Sequence, residues 1–272
     1  MATKTRRPGT PSASDRFSGR TRLLAGLLAF VLLGSLLTVA VITFATGSDN
    51  DGGVVGSGGV AVPTSIVPTD CPTADKSSAT VLTFDNPPPF CLDPSLTYTA
   101  VFDTTEGEIR MALDLDRTPN TANNFVVLTN YGYYDQTLLF RLAPTIAIIQ
   151  GGSPHTNSWS DPGPGYMIAD EGGVFGQGVN GTVGPFTYGP GQLVMARSAG
   201  PNSSGAQFFL TSGEAVSLLD NQGSYIVFGS TDAAGLAVLE GIMGLYRLDP
   251  DSPYGGGPIR EVLVRSVTIV TG

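Results

Sequence analysis

A single histidine, His155, and two cysteines, Cys71 and Cys91, are all the imidazole and thiol in this chain of 272 residues. Structural zinc takes four such ligands, and His155 lies far along the sequence from either cysteine. Neither a metal centre nor a cofactor is expected. Charge is scarce as well, at 14% of residues, while glycine (36) and proline (20) are abundant. That balance argues against a helical bundle and for a turn-rich β fold. Basic residues are few outside the N-terminus. Six of the fourteen, from Lys4 to Arg22, precede position 23 with one acid, Asp15, leaving eight bases against 22 acids for the rest. An acidic body has no footprint for phosphate, so nucleic acid is not an expected partner. No internal repeat is present. The glycine-rich stretch at 47–59 lacks the flanking strand and helix of a phosphate-binding loop.

One long apolar run stands out. Positions 23–48 carry no charge and consist mainly of Leu, Ala, Val, Phe and Ile, enough for the roughly 20 residues that cross a bilayer. Residues 23–46 therefore read as a transmembrane helix. The basic tail at 1–22 is then cytoplasmic, and the acidic remainder lies outside a cell membrane crossed once. The alternative is a cleaved secretory signal ending near Ala45-Thr46-Gly47, although its apolar region would exceed the usual 7–15 or so residues. Both readings export the body. In an oxidising compartment Cys71 and Cys91 are expected to form one disulfide. It would staple a neck at the end of a linker spanning 47–95, glycine-rich at first and then rich in Pro, Thr and Ser.

Past that linker, 96–272 reads as one compact domain. Alternation at 98–103 and 108–113 around Thr104-Thr105-Glu106-Gly107 predicts a hairpin. Thr118-Pro119 reads as an N-cap and first helical residue, with Ala122, Phe125, Val126 and Tyr131 at helical spacing and Gly132 as the stop. Short strands are predicted at 138–141, 145–150, 192–196, 206–211 and 225–230. A second helix is predicted at 232–242, capped by Thr231 or Asp232, and a final strand carries Val262, Val264, Val267 and Ile269. Positions 151–191 are too rich in Gly and Pro for a sheet. The sum is all-β dominated, with two helices and a closed antiparallel barrel.

Two segments carry the chemistry: Phe140-Arg141-Leu142-Ala143-Pro144 leading to Gln150-Gly151-Gly152, and the run from Met195-Ala196-Arg197 to Gln207-Phe208-Phe209. Together with Gly163-Pro164-Gly165-Tyr166, Ala169-Asp170-Glu171 and Tyr225-Ile226-Val227-Phe228-Gly229, they resemble the cyclophilin family of peptidyl-prolyl isomerases. The resemblance runs in the family's order over about 96–271. It implies an eight-stranded antiparallel barrel capped by two helices, with an active groove on its outer face. Its partners would be proline-containing polypeptides. By the same resemblance Arg141 is the catalytic arginine and Gln150 orients it. Ile148, Phe209 and Leu219 wall the proline pocket, Ala196 and Arg197 bind the residue before proline through their backbone, Gln207 contacts substrate, and Tyr225 supplies a hydrogen-bonding ring.

Those residue types suit the reaction. Resonance gives amide rotation a barrier of about 18–20 kcal/mol, and exchange at X–Pro takes tens to hundreds of seconds. Neither nucleophile nor metal is required, only a seat for the proline ring and donors that favour the twisted amide. The chain departs from the family in several places. It has Phe140 where His is usual, one extra residue before Gln150, Ile146 or Ala147 where an aromatic wall is usual, and Leu218 near a usual Trp. Losing one aromatic wall removes roughly 1–3 kcal/mol of apolar contact. A weak or inactive proline-peptide-binding or chaperone module is therefore the alternative to an isomerase folding exported proteins. Asn180-Gly181-Thr182 and Asn202-Ser203-Ser204 match a glycosylation pattern and are read as chance. His155 and the lone tryptophan, Trp159, are read as shaping the loop at 153–162, with a part in substrate choice as the alternative.

Overall fold

The computed structural model describes residues 70–174, 186–252 and 254–272. The predicted transmembrane helix at 23–46, the start of the linker and Asn180 lie outside those residues. Among the described residues no helix is long and apolar enough to cross a membrane.

The hairpin is present as β1 (Tyr98–Thr104) and β2 (Gly107–Leu113). Its turn is closed by Thr104 Oγ1, which donates to Gly107 O and accepts from Glu106 N. Helix α1 (Pro119–Asn130) follows, then β3 (Thr137–Leu138), β4 (Arg141–Ala143), β5 (Ile148–Gly151), β6 (Gln192–Arg197), β7 (Ser204–Thr211) and β8 (Val227–Thr231). Helix α2 (Ala233–Met243), β9 (Tyr246–Leu248), β10 (Gly256–Pro258) and β11 (Leu263–Thr271) complete the order.

Two expectations about the helices differ in outcome. Asp232 caps α2, its carboxylate accepting from Ala234 N and Gly235 N. Thr118 does not cap α1: its hydroxyl donates to Asp114 O. The free N–H groups of Asn120 and Thr121 are instead taken by the Glu171 carboxylate, 50 residues on in sequence from Thr121. A carboxylate there satisfies orphan donors and opposes the positive end of the helix dipole.

The expected closed eight-stranded barrel is corrected to an eleven-stranded sheet in the order β3-β11-β1-β2-β8-β6-β7-β5-β4-β10-β9. The order does not close on itself. The predicted strand at 138–141 breaks into β3, paired to β11, and β4, paired to β5, with only single bonds between them: Leu139 N to Val262 O and Phe140 N to Gln150 O. The added strands β9 and β10 are three residues each and pair mainly with one another. Their glycines and proline conceal any period-2 pattern from sequence inspection. Inside the curved sheet, Phe102, Phe125, Phe208 and Phe228 meet ring to ring at 5.3–6.1 Å. Offset and edge contacts of this kind suit aromatic quadrupoles.

The segment read as a neck packs against the body from Asp70 onward. Phe84 is buried in the main core, its ring tilted against Tyr131 and edge-on to Tyr166. Its backbone N donates to Pro164 O. Gly165 holds φ +98° with Phe84 O so near that a Cβ would collide, so only glycine fits there. Lys76 binds Asp135 and Val267 O, and Asn123 of α1 binds both Cys91 N and Pro89 O. The disulfide Cys71–Cys91 is formed, across a separation of 20 residues. Closing a loop of that size contributes at most about 3 kcal/mol. Replacing both cysteines by serine should lower the free energy of denaturant unfolding by up to about that amount. The sheet should stay folded, because the bridge ties the neck against α1 and not against β4, β5 and β7.

Candidate active site

The register of three neighbouring strands sets the site. Arg141 of β4 lies opposite Gln150 of β5, and Gln150 lies opposite Phe209 of β7. With strands about 4.8 Å apart, Arg141 and Phe209 stand roughly 10 Å apart in one row, with Gln150 between them. Phe209 in turn faces Val194 of β6. Between the two strands the loop at 144–147 is a 3-10 turn (Pro144–Ile146) followed by Ala147 at φ +48°. The strand predicted to begin at 145 therefore starts only at Ile148.

Arg141 is 5% exposed and held at two of its three nitrogens. Nε donates to Tyr254 O at 2.9 Å and Nη1 to Gln150 Oε1 at 2.8 Å. Gln150 Nε2 donates onward to Gln207 Oε1 at 2.8 Å. Nη2 is buried and has no hydrogen-bond partner among the described residues. A buried unpaired donor costs about 1–3 kcal/mol, more for a charged group, and a ligand carbonyl, or an amide nitrogen twisted out of conjugation, would satisfy it. Burial pushes the Arg141 guanidinium down to about 10, against the opposing influence of Tyr225 and Tyr254. It stays a cation at neutral pH.

The apolar residues named with Phe209 fall in one buried core. Ile148, Phe209, Leu219 and Tyr225 are all buried in the main core cluster, and Tyr225 meets Phe209 edge-on at 5.6 Å. Burial raises the Tyr225 phenol far above its usual range, the Arg197 and Arg141 cations opposing it only in part. Its ring is therefore neutral. Ile146 is core and Ala147 carries only a methyl, so neither supplies the aromatic wall. Leu218, beside Leu219, is half exposed.

Ala196 and Arg197 fall at an irregularity. The β6–β7 register jumps from Met195↔Phe208 to Arg197↔Ser204, leaving Ala196 with no ladder partner on β7. The β7 carbonyls at the jump are taken from the α1 side, Gly205 O by Asn124 Nδ2 and Ala206 O by the Tyr134 hydroxyl. That leaves Ala196 backbone suited to pair with an extended peptide. The Arg197 side chain is committed elsewhere. It forms a buried ion pair with Asp170 at 2.9 Å and also donates to Ser224 O, Gly200 O and Ser203 Oγ. Asp170 accepts in addition from Asn202 N, and Asn202 Oδ1 accepts from Asp170 N. The loop at 198–203 is thus clasped under the groove. Asp170 and Glu171 both have structural roles, one as a clasp and the other as a helix cap.

Sequence inspection did not find Tyr254, whose carbonyl orients Arg141 from 113 positions away, nor Asp170 as the partner of Arg197. Only the Ala169-Asp170-Glu171 stretch hinted at the second.

A family model described as "Cyclophilin type peptidyl-prolyl cis-trans isomerase/CLD" matches residues 99–268. The chain belongs to the cyclophilin-type peptidyl-prolyl isomerase family. Among its relatives is a "Probable peptidyl-prolyl cis-trans isomerase B" of Mycobacterium leprae, 33% identical over 73% of this chain and 65% of that protein. The Mycobacterium tuberculosis counterpart is 33% identical over 61% of this chain and 52% of its own length. This chain thus spans about half to two thirds of these curated relatives. A "Peptidyl-prolyl cis-trans isomerase-like 1" of Gibberella zeae is 31% identical over 64% of this chain and 96% of that protein. A solved structure is also similar, with TM-score 0.52 and 25% identity over 64% of this chain and 99% of the other. It is a Cryptosporidium parvum cyclophilin type peptidyl-prolyl cis-trans isomerase, crystallised in the presence of the dipeptide Ala-Pro.

Proposed function

We propose that this protein is a peptidyl-prolyl cis-trans isomerase acting on proline-containing polypeptides outside the membrane of a bacterial cell, where it assists the folding of exported proteins. The observation that carries the catalytic part is Arg141 Nη2, a buried cationic donor fixed by Gln150 and Tyr254 O and left without a partner among the described residues. The proline ring sits against Phe209, Ile148 and Leu219, and the residue before it pairs with the Ala196 backbone. As the amide twists, its nitrogen loses conjugation and gains a lone pair, which Nη2 meets. A donor already oriented needs no reorganisation at that moment. A preference of 1.36 kcal/mol for the twisted form is worth about tenfold in rate.

Anchoring by residues 23–46, with the N-terminus cytoplasmic, is supported by the apolar run and the charge asymmetry around it. A module that binds proline peptides without turnover is the reading favoured by the missing aromatic wall at Ala147. Magnetisation-exchange NMR on an Ala-Pro peptide with catalytic amounts of protein separates the two. Accelerated cis/trans exchange supports the isomerase; saturable binding with exchange at the uncatalysed rate supports the binding module. Fractionation of cells with an antibody to the body tests the anchor, which predicts recovery with membranes and release only by detergent.

A further inference from the structure

On the side of β4 away from Phe209, the sheet continues into β10 and β9, and a second groove opens there. It encloses about 1020 Å³, and Phe140, Arg141, Trp159, Leu248, Tyr254 and Ile259 line it. Three of these are large apolar side chains held out to solvent: Trp159 at 47%, Leu248 at 62% and Ile259 at 57% exposure. Single exposed apolar residues are ordinary, but their convergence on one concave surface marks an interaction site.

The groove is continuous with the active row. Arg141 lines both. The Trp159 ring packs on Tyr254 at 4.9 Å, and the Tyr254 ring lies 5.4 Å from the Arg141 guanidinium. Trp159 O accepts from Gln207 Nε2 at 3.3 Å. One wall of the groove is therefore built from the residues that orient Arg141 and Gln207.

We propose that this groove is an extension of the substrate site that seats a large apolar or aromatic side chain within the residues following the proline. The direction rests on the isomerase reading: with the residue before proline on Ala196 of β6, the chain running past Phe209 and Arg141 toward β10 is the part after proline. A groove of this volume is about 10 Å across, or about three extended residues. The substrate preference of this protein is then written beyond the proline, and the groove provides aromatic contact that Ala147 does not.

Trp159 is the only tryptophan in the chain, so its emission reports on the groove directly. The full-length protein is titrated with three peptides: Ala-Ala-Pro-Ala-Ala, Ala-Ala-Pro-Ala-Phe and Phe-Ala-Pro-Ala-Ala. Placing Phe after the proline should raise kcat/KM about tenfold and shift Trp159 emission saturably, whereas Phe before the proline should do neither. Replacing Leu248 and Ile259 together by serine should cancel that gain and leave turnover of the all-alanine peptide unchanged. Equal kcat/KM for all three peptides, at normal turnover, would overturn the proposal. So would an emission shift that appears on concentrating the protein without peptide, which would assign the groove to a second copy of the chain. If none of the peptides is turned over, the isomerase reading fails instead, and the emission titration alone decides the groove.

Discussion

Replacing Arg141 by alanine is expected to lower kcat/KM on an Ala-Pro peptide by about a hundredfold or more while leaving the fold in place. Removing one preoriented donor from a desolvated site commonly costs that much, and Nη2 is the donor that Gln150 and Tyr254 leave free. The stability cost is smaller. Alanine strands Gln150 Oε1 and Tyr254 O but also relieves the burial of a charge, so unfolding should shift by about 1–3 kcal/mol at most. Arg141→Lys keeps the cation yet cannot hold two acceptors and offer a third donor in one plane, so its recovery should be partial. The pH dependence follows from the same group. Arg141 donates while protonated, and its value of about 10 lies well above neutrality. Turnover should therefore be flat through neutral pH, since even with burial lowering its value to about 10 the guanidinium keeps its proton there. Circular dichroism alongside exchange rates separates a catalytic loss from a folding one.

Replacing Asp170 by alanine should have the largest effect on stability. The carboxylate is fully buried and the Arg197 side chain nearly so. Breaking such a pair from one side costs about 3–5 kcal/mol, because the remaining charge stays buried and uncompensated. The low end, about 3 kcal/mol, is expected for this pair, since Ser224 O and Ser203 Oγ still accept from Arg197. The loop at 198–203 also loses the Asn202 N bond. The backbone at Ala196 should loosen with it, and KM for peptide should rise more than kcat falls. Asp170→Leu combined with Arg197→Met removes both charges and should recover most of the stability, because an apolar pair of similar volume often does as well as a buried ion pair. Urea unfolding of the single and double variants measures this.

The parts of the site that were legible in the sequence are those encoded over short distances. Arg141 and Gln150 lie on adjacent strands of one hairpin, and Gln207 and Phe209 alternate along one strand, so linear motifs name them. The hairpin and the two helices followed from period and breakers in the same way, with Asp232 before α2 a local signal, while the strand read at 138–141 broke in two and β9 and β10 went unread. What escaped depends on contacts distant in sequence. Tyr254 reaches Arg141 from a loop between two very short strands. Glu171 takes the place of Thr118 as the cap of α1, its carboxylate accepting from the free N–H groups while the Thr118 hydroxyl is bound to Asp114 O. Phe84 gave no periodic signal, being a lone aromatic in a stretch rich in Pro, Thr and Ser, yet it fills the core between Tyr131 and Tyr166. A version of the chain starting at Leu96 would lose that ring along with the disulfide. The full chain is the right object for assay.

The most direct test is the exchange rate itself. With the full-length protein at catalytic concentration and an Ala-Pro peptide in excess, the wild type should accelerate cis/trans interconversion well above the spontaneous rate. Under the same conditions Arg141→Ala should return most of that acceleration to background, with an unchanged circular dichroism spectrum. A wild type that leaves exchange at the spontaneous rate, or an Arg141→Ala variant as fast as the wild type, would contradict a catalytic role for the buried Nη2 of Arg141.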